Sequence, residues 1–115
     1  MSSGPIFEQI AKNVHQMLAR GALKPGDKLP SARDLAALLS VNPNTIVHAY
    51  NQLEAQDVIE KRRGLGTFVR EDAPVTGMKR EMLQQAANAY ADESRQLDAS
   101  IQEALTALKE VWDVG

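Results

Sequence analysis

The sequence contains no cysteine, which excludes disulfides, thiolate zinc sites and cysteine nucleophiles together. Aromatic residues are scarce at 4%, so a core has to be built from Leu, Ile, Val, Ala and Met. No apolar run reaches the ~20 residues that a membrane span requires. The opening Met1-Ser2-Ser3-Gly4-Pro5 has neither a basic flank nor a hydrophobic stretch. No signal peptide is therefore expected, and the cytoplasm is the expected location. Histidine is limited to His15 and His48, and no nucleophile elbow accompanies them. That leaves no reactive constellation for an enzyme. His15 lies in an apolar-patterned helix with no His or Cys nearby, so no metal is expected, and no cofactor motif is present.

What is present is an ordinary globular composition. The chain has 115 residues, 43% of them apolar and 24% charged, enough for one domain or a small domain with an appendage. The net charge of −2 hides an asymmetry. Residues 1–70 carry nine Lys/Arg against six Asp/Glu, whereas residues 71–115 carry four against nine. Two functional parts are implied, with any polyanionic partner on the first.

The apolar spacing of Phe7, Ile10, Ala11, Val14, Met17 and Leu18 predicts a helix opened by Pro5 and stopped by Gly21. Lys24-Pro25-Gly26-Asp27 reads as a tight turn. Ser31 with Asp34 resembles a capping box for a short helix bearing Leu35, Ala36, Leu38 and Leu39. After only Ser40-Val41, Asn42 as N-cap and Pro43 at the first helical position start another helix. Its apolar stripe is Ile46, Ala49, Tyr50 and Leu53; Asn44, His48 and Asn51 fall on the other side. Val58–Lys61 and Thr67–Val69 then predict two strands around a basic, glycine-containing tip. Glu71 to Gly77 is a connector. Two further helices follow, one marked by Met78, Met82, Leu83, Ala86 and Tyr90. The other is marked by Ile101, Leu105, Leu108 and Trp112, with Asp98 as the expected N-cap.

Two short helices joined by a tight turn and followed by a basic hairpin describe a winged helix-turn-helix. In that geometry the second helix, 43–56, enters the major groove of B-DNA and offers Asn44, Thr45 and His48 to base edges. The first helix crosses the backbone, where its amides, Ser31 and Arg33 can hold a phosphate. The wing, 61–67, carries Lys61, Arg62, Arg63 and Gly64 toward an adjacent backbone or minor groove. The fold class expected is mainly α with a small β-hairpin. It comprises a winged helix-turn-helix over residues 5–71, a connector over 72–77 and a two-helix dimerisation segment over 78–113.

The strings Leu29-Pro30-Ser31-Ala32-Arg33-Asp34-Leu35-Ala36, Val41-Asn42-Pro43-Asn44-Thr45 and Arg63-Gly64-Leu65-Gly66-Thr67-Phe68-Val69 resemble the GntR family of bacterial transcriptional regulators. The Pro-Ile-Phe-Glu-Gln-Ile start and the short tail resemble its YtrA-like subgroup. The resemblance implies a repressor that binds a palindromic double-stranded DNA operator as a homodimer through its C-terminal helices. It carries DNA contacts onto Arg33, Asn44, Thr45, Arg63 and Gly64. His48 stands where many relatives have arginine. Larger relatives bind a metabolite in their C-terminal domain; this tail is too short for that pocket, and an effector stays unassigned.

Overall fold

A computed structural model describes residues 6–113. Pro5, expected to open the first helix, lies outside the described residues. Helix α1 (Ile6–Ala19) buries Ile10, Ala11, Val14 and Leu18 along one stripe. It ends at Gly21, where φ is +78° and the amides of Ala22 and Leu23 return to the Met17 carbonyl. The Lys24–Asp27 turn is closed from both sides, by Asp27 N–H to the Lys24 carbonyl (3.0 Å) and Lys24 N–H to the Asp27 carboxylate (2.8 Å).

The turn leads into β1 (Lys28–Leu29), a strand the sequence did not announce. It pairs antiparallel with β3 (Gly66–Val69), which also pairs with β2 (Ile59–Arg62). The expected hairpin is thus the larger part of a three-stranded sheet in the order β1-β3-β2. Leu29, Ile59 and Val69 are buried on the inner face of the sheet.

Helices α2 (Ala32–Leu39) and α3 (Pro43–Ala55) are separated by Ser40, whose φ of +55° turns the chain sharply. Ser31 caps α2 by accepting the Asp34 N–H at 3.0 Å. Asn42 caps α3 by accepting the Asn44 N–H at 2.8 Å. The stripe of Ile46, Ala49, Tyr50 and Leu53 is buried, and α3 packs against both α1 and α2. By contrast α2 buries only Ala36; Leu38 and Leu39, expected on its apolar face, are exposed. A helix of 8 residues has room for one narrow contact line, and its last turn runs past the core. Leu18, Ile46, Leu53, Val58 and Val69 form the deepest layer, each contributing ~1.5–3 kcal/mol by leaving water.

The chain divides into two compact units, one running to Lys79 and the other beginning at Arg80. The second holds most of α4 (Met78–Gln96) and all of α5 (Ile101–Trp112). The Tyr90 hydroxyl donates to the Ala104 carbonyl at 2.8 Å, holding the two helices together. Ser100 caps α5, not Asp98. Its hydroxyl accepts the Glu103 N–H, and the Glu103 carboxylate accepts the Ser100 N–H in return. This reciprocal box satisfies two free amides at once, which a lone Asp cannot. Asp98 instead adopts φ +58° in the turn that ends α4. No residue of α5 is buried.

Candidate nucleic-acid interface

The polar side of α3 is set by subtraction. With Ile46, Ala49, Tyr50 and Leu53 turned inward, Asn44, His48 and Asn51 share the outer side at spacings of four and three residues. All three are exposed, and Thr45 between them is half-buried. The Asn42 cap occupies the Asn44 main-chain amide only, so the Asn44 carboxamide stays available. The His48 ring lies against Phe7 of α1, with centroids 5.4 Å apart and planes tilted by 40°.

α3 is fixed to the segment before α2 by one buried link. The Tyr50 hydroxyl donates to the Pro30 carbonyl at 2.7 Å, and burial pushes the phenol up to about 12. Next in the chain stands Ser31, exposed, with its oxygen already accepting the Asp34 amide. Arg33 projects from the first turn of α2, exposed, and forms no ion pair among the described residues.

The wing separates its three basic residues. Strand alternation places Arg62 on the same face as Glu60 and Phe68. Its Nε donates to the Glu60 carboxylate at 2.9 Å, and its guanidinium sits 4.3 Å from the Phe68 ring centre. Arg62 is therefore held against the sheet. Arg63 and Gly64 lie at the tip, both exposed, and Arg63 has no carboxylate partner among the described residues. Gly64 has φ +78°, which the turn closed by the Leu65 N–H and Arg62 carbonyl (2.8 Å) demands. Lys61 is exposed on the opposite face from Arg62. Arg70, just beyond the wing, is engaged by Asp72 at 2.8 and 3.0 Å. That hydrogen-bonded pairing raises the guanidinium and lowers the Asp72 carboxyl from their ordinary values.

Lys28 is a cation that sequence reasoning missed. It crosses β3 at Gly66, where a Cβ would stand 2.9 Å from the Lys28 Cε, and its ammonium lies 6.0 Å from the Phe68 ring centre. Lys28 and Ser31 border a shallow groove of about 420 Å³ whose other wall is Gly66 and Thr67. The pairing of Lys28 opposite Phe68 would have revealed it, but that register requires β1. Among the described residues no group of three His, Cys, Asp or Glu could hold a metal ion, and no helix is long and apolar enough to cross a membrane.

Residues 6–69, the stretch containing α1, the helix-turn-helix and the wing, match the bacterial regulatory proteins of the gntR family. The chain belongs to the GntR family. Over 81 residues it is 46% identical to the HTH-type transcriptional repressor YtrA of Bacillus subtilis (strain 168), covering 70% of this chain but only 62% of that repressor. It is 36% identical to the uncharacterized HTH-type transcriptional regulator YhcF of the same organism, covering 99% and 95% of the two chains. Among solved structures, a GntR family regulator from Listeria monocytogenes superposes with a TM-score of 0.83 at 32% identity, over 96% of this chain and 98% of that one. YtrA from Sulfolobus acidocaldarius, a GntR-family transcription factor, gives 0.57 at 32% identity over 97% and 91%. These GntR relatives are transcriptional regulators and not enzymes. The chain is accordingly a DNA-binding transcriptional regulator with a winged helix-turn-helix followed by C-terminal helices.

Proposed function

We propose that this GntR regulator is a cytoplasmic repressor that binds a palindromic operator as a homodimer. Residues 5–71 act as the DNA-binding domain, 72–77 as connector and 78–113 as the dimerisation segment. The observation that carries the reading is the division of α3. Its apolar stripe is fully committed to the core, while Asn44 and His48 remain exposed on the opposite side. In the major groove that side meets base edges, with Thr45 beside it. Arg33 and the Ser31 hydroxyl take one phosphate, and Arg63 with the Gly64 backbone takes another beyond the groove. Arg62, already engaged by Glu60 and Phe68, serves as a fixed positive flank to the tip.

The dimer follows from the tail. Ile101, Leu105, Leu108, Val111 and Trp112 are all exposed on α5. A second copy offers the same stripe, and a two-fold pairing buries both. Joining two half-site contacts raises affinity by ~10²–10⁴, and two-fold symmetry demands an approximately palindromic site. The relative named as a repressor supports repression. Selection of fragments from the source genome, followed by footprinting, tests the reading. The expected result is two protected half-sites about one helical turn, ~34 Å, apart. A single unrepeated half-site, or no salt-sensitive binding to duplex DNA, would overturn it.

A further inference from the structure

The apolar stripe of α1 does not stop at the core. Ile10, Ala11, Val14 and Leu18 pack inward, and the same helical spacing carried one turn toward the N-terminus reaches Phe7. Phe7 is only half-buried, at the edge of the contact between α1 and α3. What Phe7 meets is His48, ring to ring, at 5.4 Å with a 40° tilt. An exposed imidazole on a helix normally samples several rotamers. A contact of this kind between aromatic rings is enough to favour one rotamer over its alternatives by ~2- to 12-fold.

We infer that Phe7 is a positioning residue for sequence recognition: a side chain of α1 sets the direction in which His48 presents its ring nitrogens. The inference rests on the reading of α3 as the base-facing helix. Hydrogen-bonded base recognition is directional, so a ring held in one orientation discriminates between bases more sharply than one free to turn. The contact also places a specificity determinant outside the helix-turn-helix. A change at Phe7 alters the preferred operator by way of His48.

The test uses the full chain and a pool of DNA duplexes with randomised centres, with wild type compared against Phe7→Leu, Phe7→Tyr and His48→Ala. One base contact supplies ~5- to 150-fold discrimination. His48→Ala is expected to remove it at one position per half-site. Phe7→Leu is expected to lose part of it at that same position, with the other positions and the salt dependence of binding unchanged. Phe7→Tyr, which keeps the ring, is expected to restore wild-type preference. In the free protein, ring-current displacement of the His48 imidazole proton signals is expected in wild type and Phe7→Tyr and absent in Phe7→Leu. Unaltered preference in Phe7→Leu, or equal weakening on every sequence, overturns the inference while leaving α3 as the reading helix. Absence of the ring-current displacement in wild type overturns it even if Phe7→Leu proves too unstable to assay. Unaltered preference in His48→Ala overturns the reading beneath it.

Discussion

Replacing Tyr50 with Phe deletes one oxygen at a decisive junction. The phenol is 4% exposed, and its hydroxyl donates to the Pro30 carbonyl at 2.7 Å, tying α3 to the segment that starts α2. The ring and its packing survive the substitution, so the loss is one hydrogen bond, ~1 kcal/mol. For a domain of this size that lowers the melting temperature by ~4–8 °C at neutral pH. The alkaline side carries a second, opposite effect. Burial pushes the folded phenol from 10 to about 12, so between those values the unfolded chain has released its proton and the folded chain has not. A raised folded pKa gives stability that is complete below pH 10 and is lost as pH rises toward 12. At pH 11 the loss is ~1.4 kcal/mol, following from ~1.36 kcal/mol per pH unit. The neutral-pH advantage of wild type is thus cancelled near pH 11, and Tyr50→Phe becomes the more stable chain above it. Urea unfolding of both chains followed by circular dichroism at pH 7, 9, 10 and 11 reads this directly. Groups common to both chains cancel in the difference. A constant offset from pH 7 to 11 would refute the buried, hydrogen-bonded phenol.

Other expectations concern the wing, the tail and the acid limb. Arg63→Ala should flatten the slope of log affinity against log salt by ~0.9, the value for one phosphate contact, and an unchanged slope would remove Arg63 from the backbone contacts. Leu105→Asp combined with Leu108→Asp should convert a dimer to a monomer in sedimentation at micromolar concentration. A wild type already monomeric there would refute the dimer, and a variant still dimeric would place the contact elsewhere. Burial lowers His15 from its ordinary 6.5 despite an opposing hydrogen bond with Gln56. Stability is therefore complete above about 6.5 and declines as pH falls through the folded value. His15→Gln should flatten that decline, and an identical acid profile in the two chains would contradict it.

The elements most legible in the sequence were those whose signals agree. Asn42, Pro43 and the stripe from Ile46 to Leu53 point to one helix, and α3 occupies that place. Strand β1 was invisible because two residues are too short to show alternation, and its existence depends on β3 lying beside it. Asp98 and Ser100 are both N-cap types, and Glu103 decides between them by returning a hydrogen bond. In the basic run, Lys61, Arg62 and Arg63 look equivalent. Only the strand register separates Arg62, held by Glu60 and Phe68, from Arg63 at the tip. The contact between Phe7 and His48 spans two helices far apart in sequence, so no local pattern announces it.

The absence of any buried residue in α5 also bears on how the regulator behaves at low copy number. Within one chain the tail's apolar stripe stays wet; in the proposed dimer a second copy would supply the burial, and the steadiness of the tail would then be linked to protein concentration by mass action. If the proposed dimer dissociates at low concentration, half-site binding alone would remain, and operator occupancy would fall more than in proportion to protein concentration.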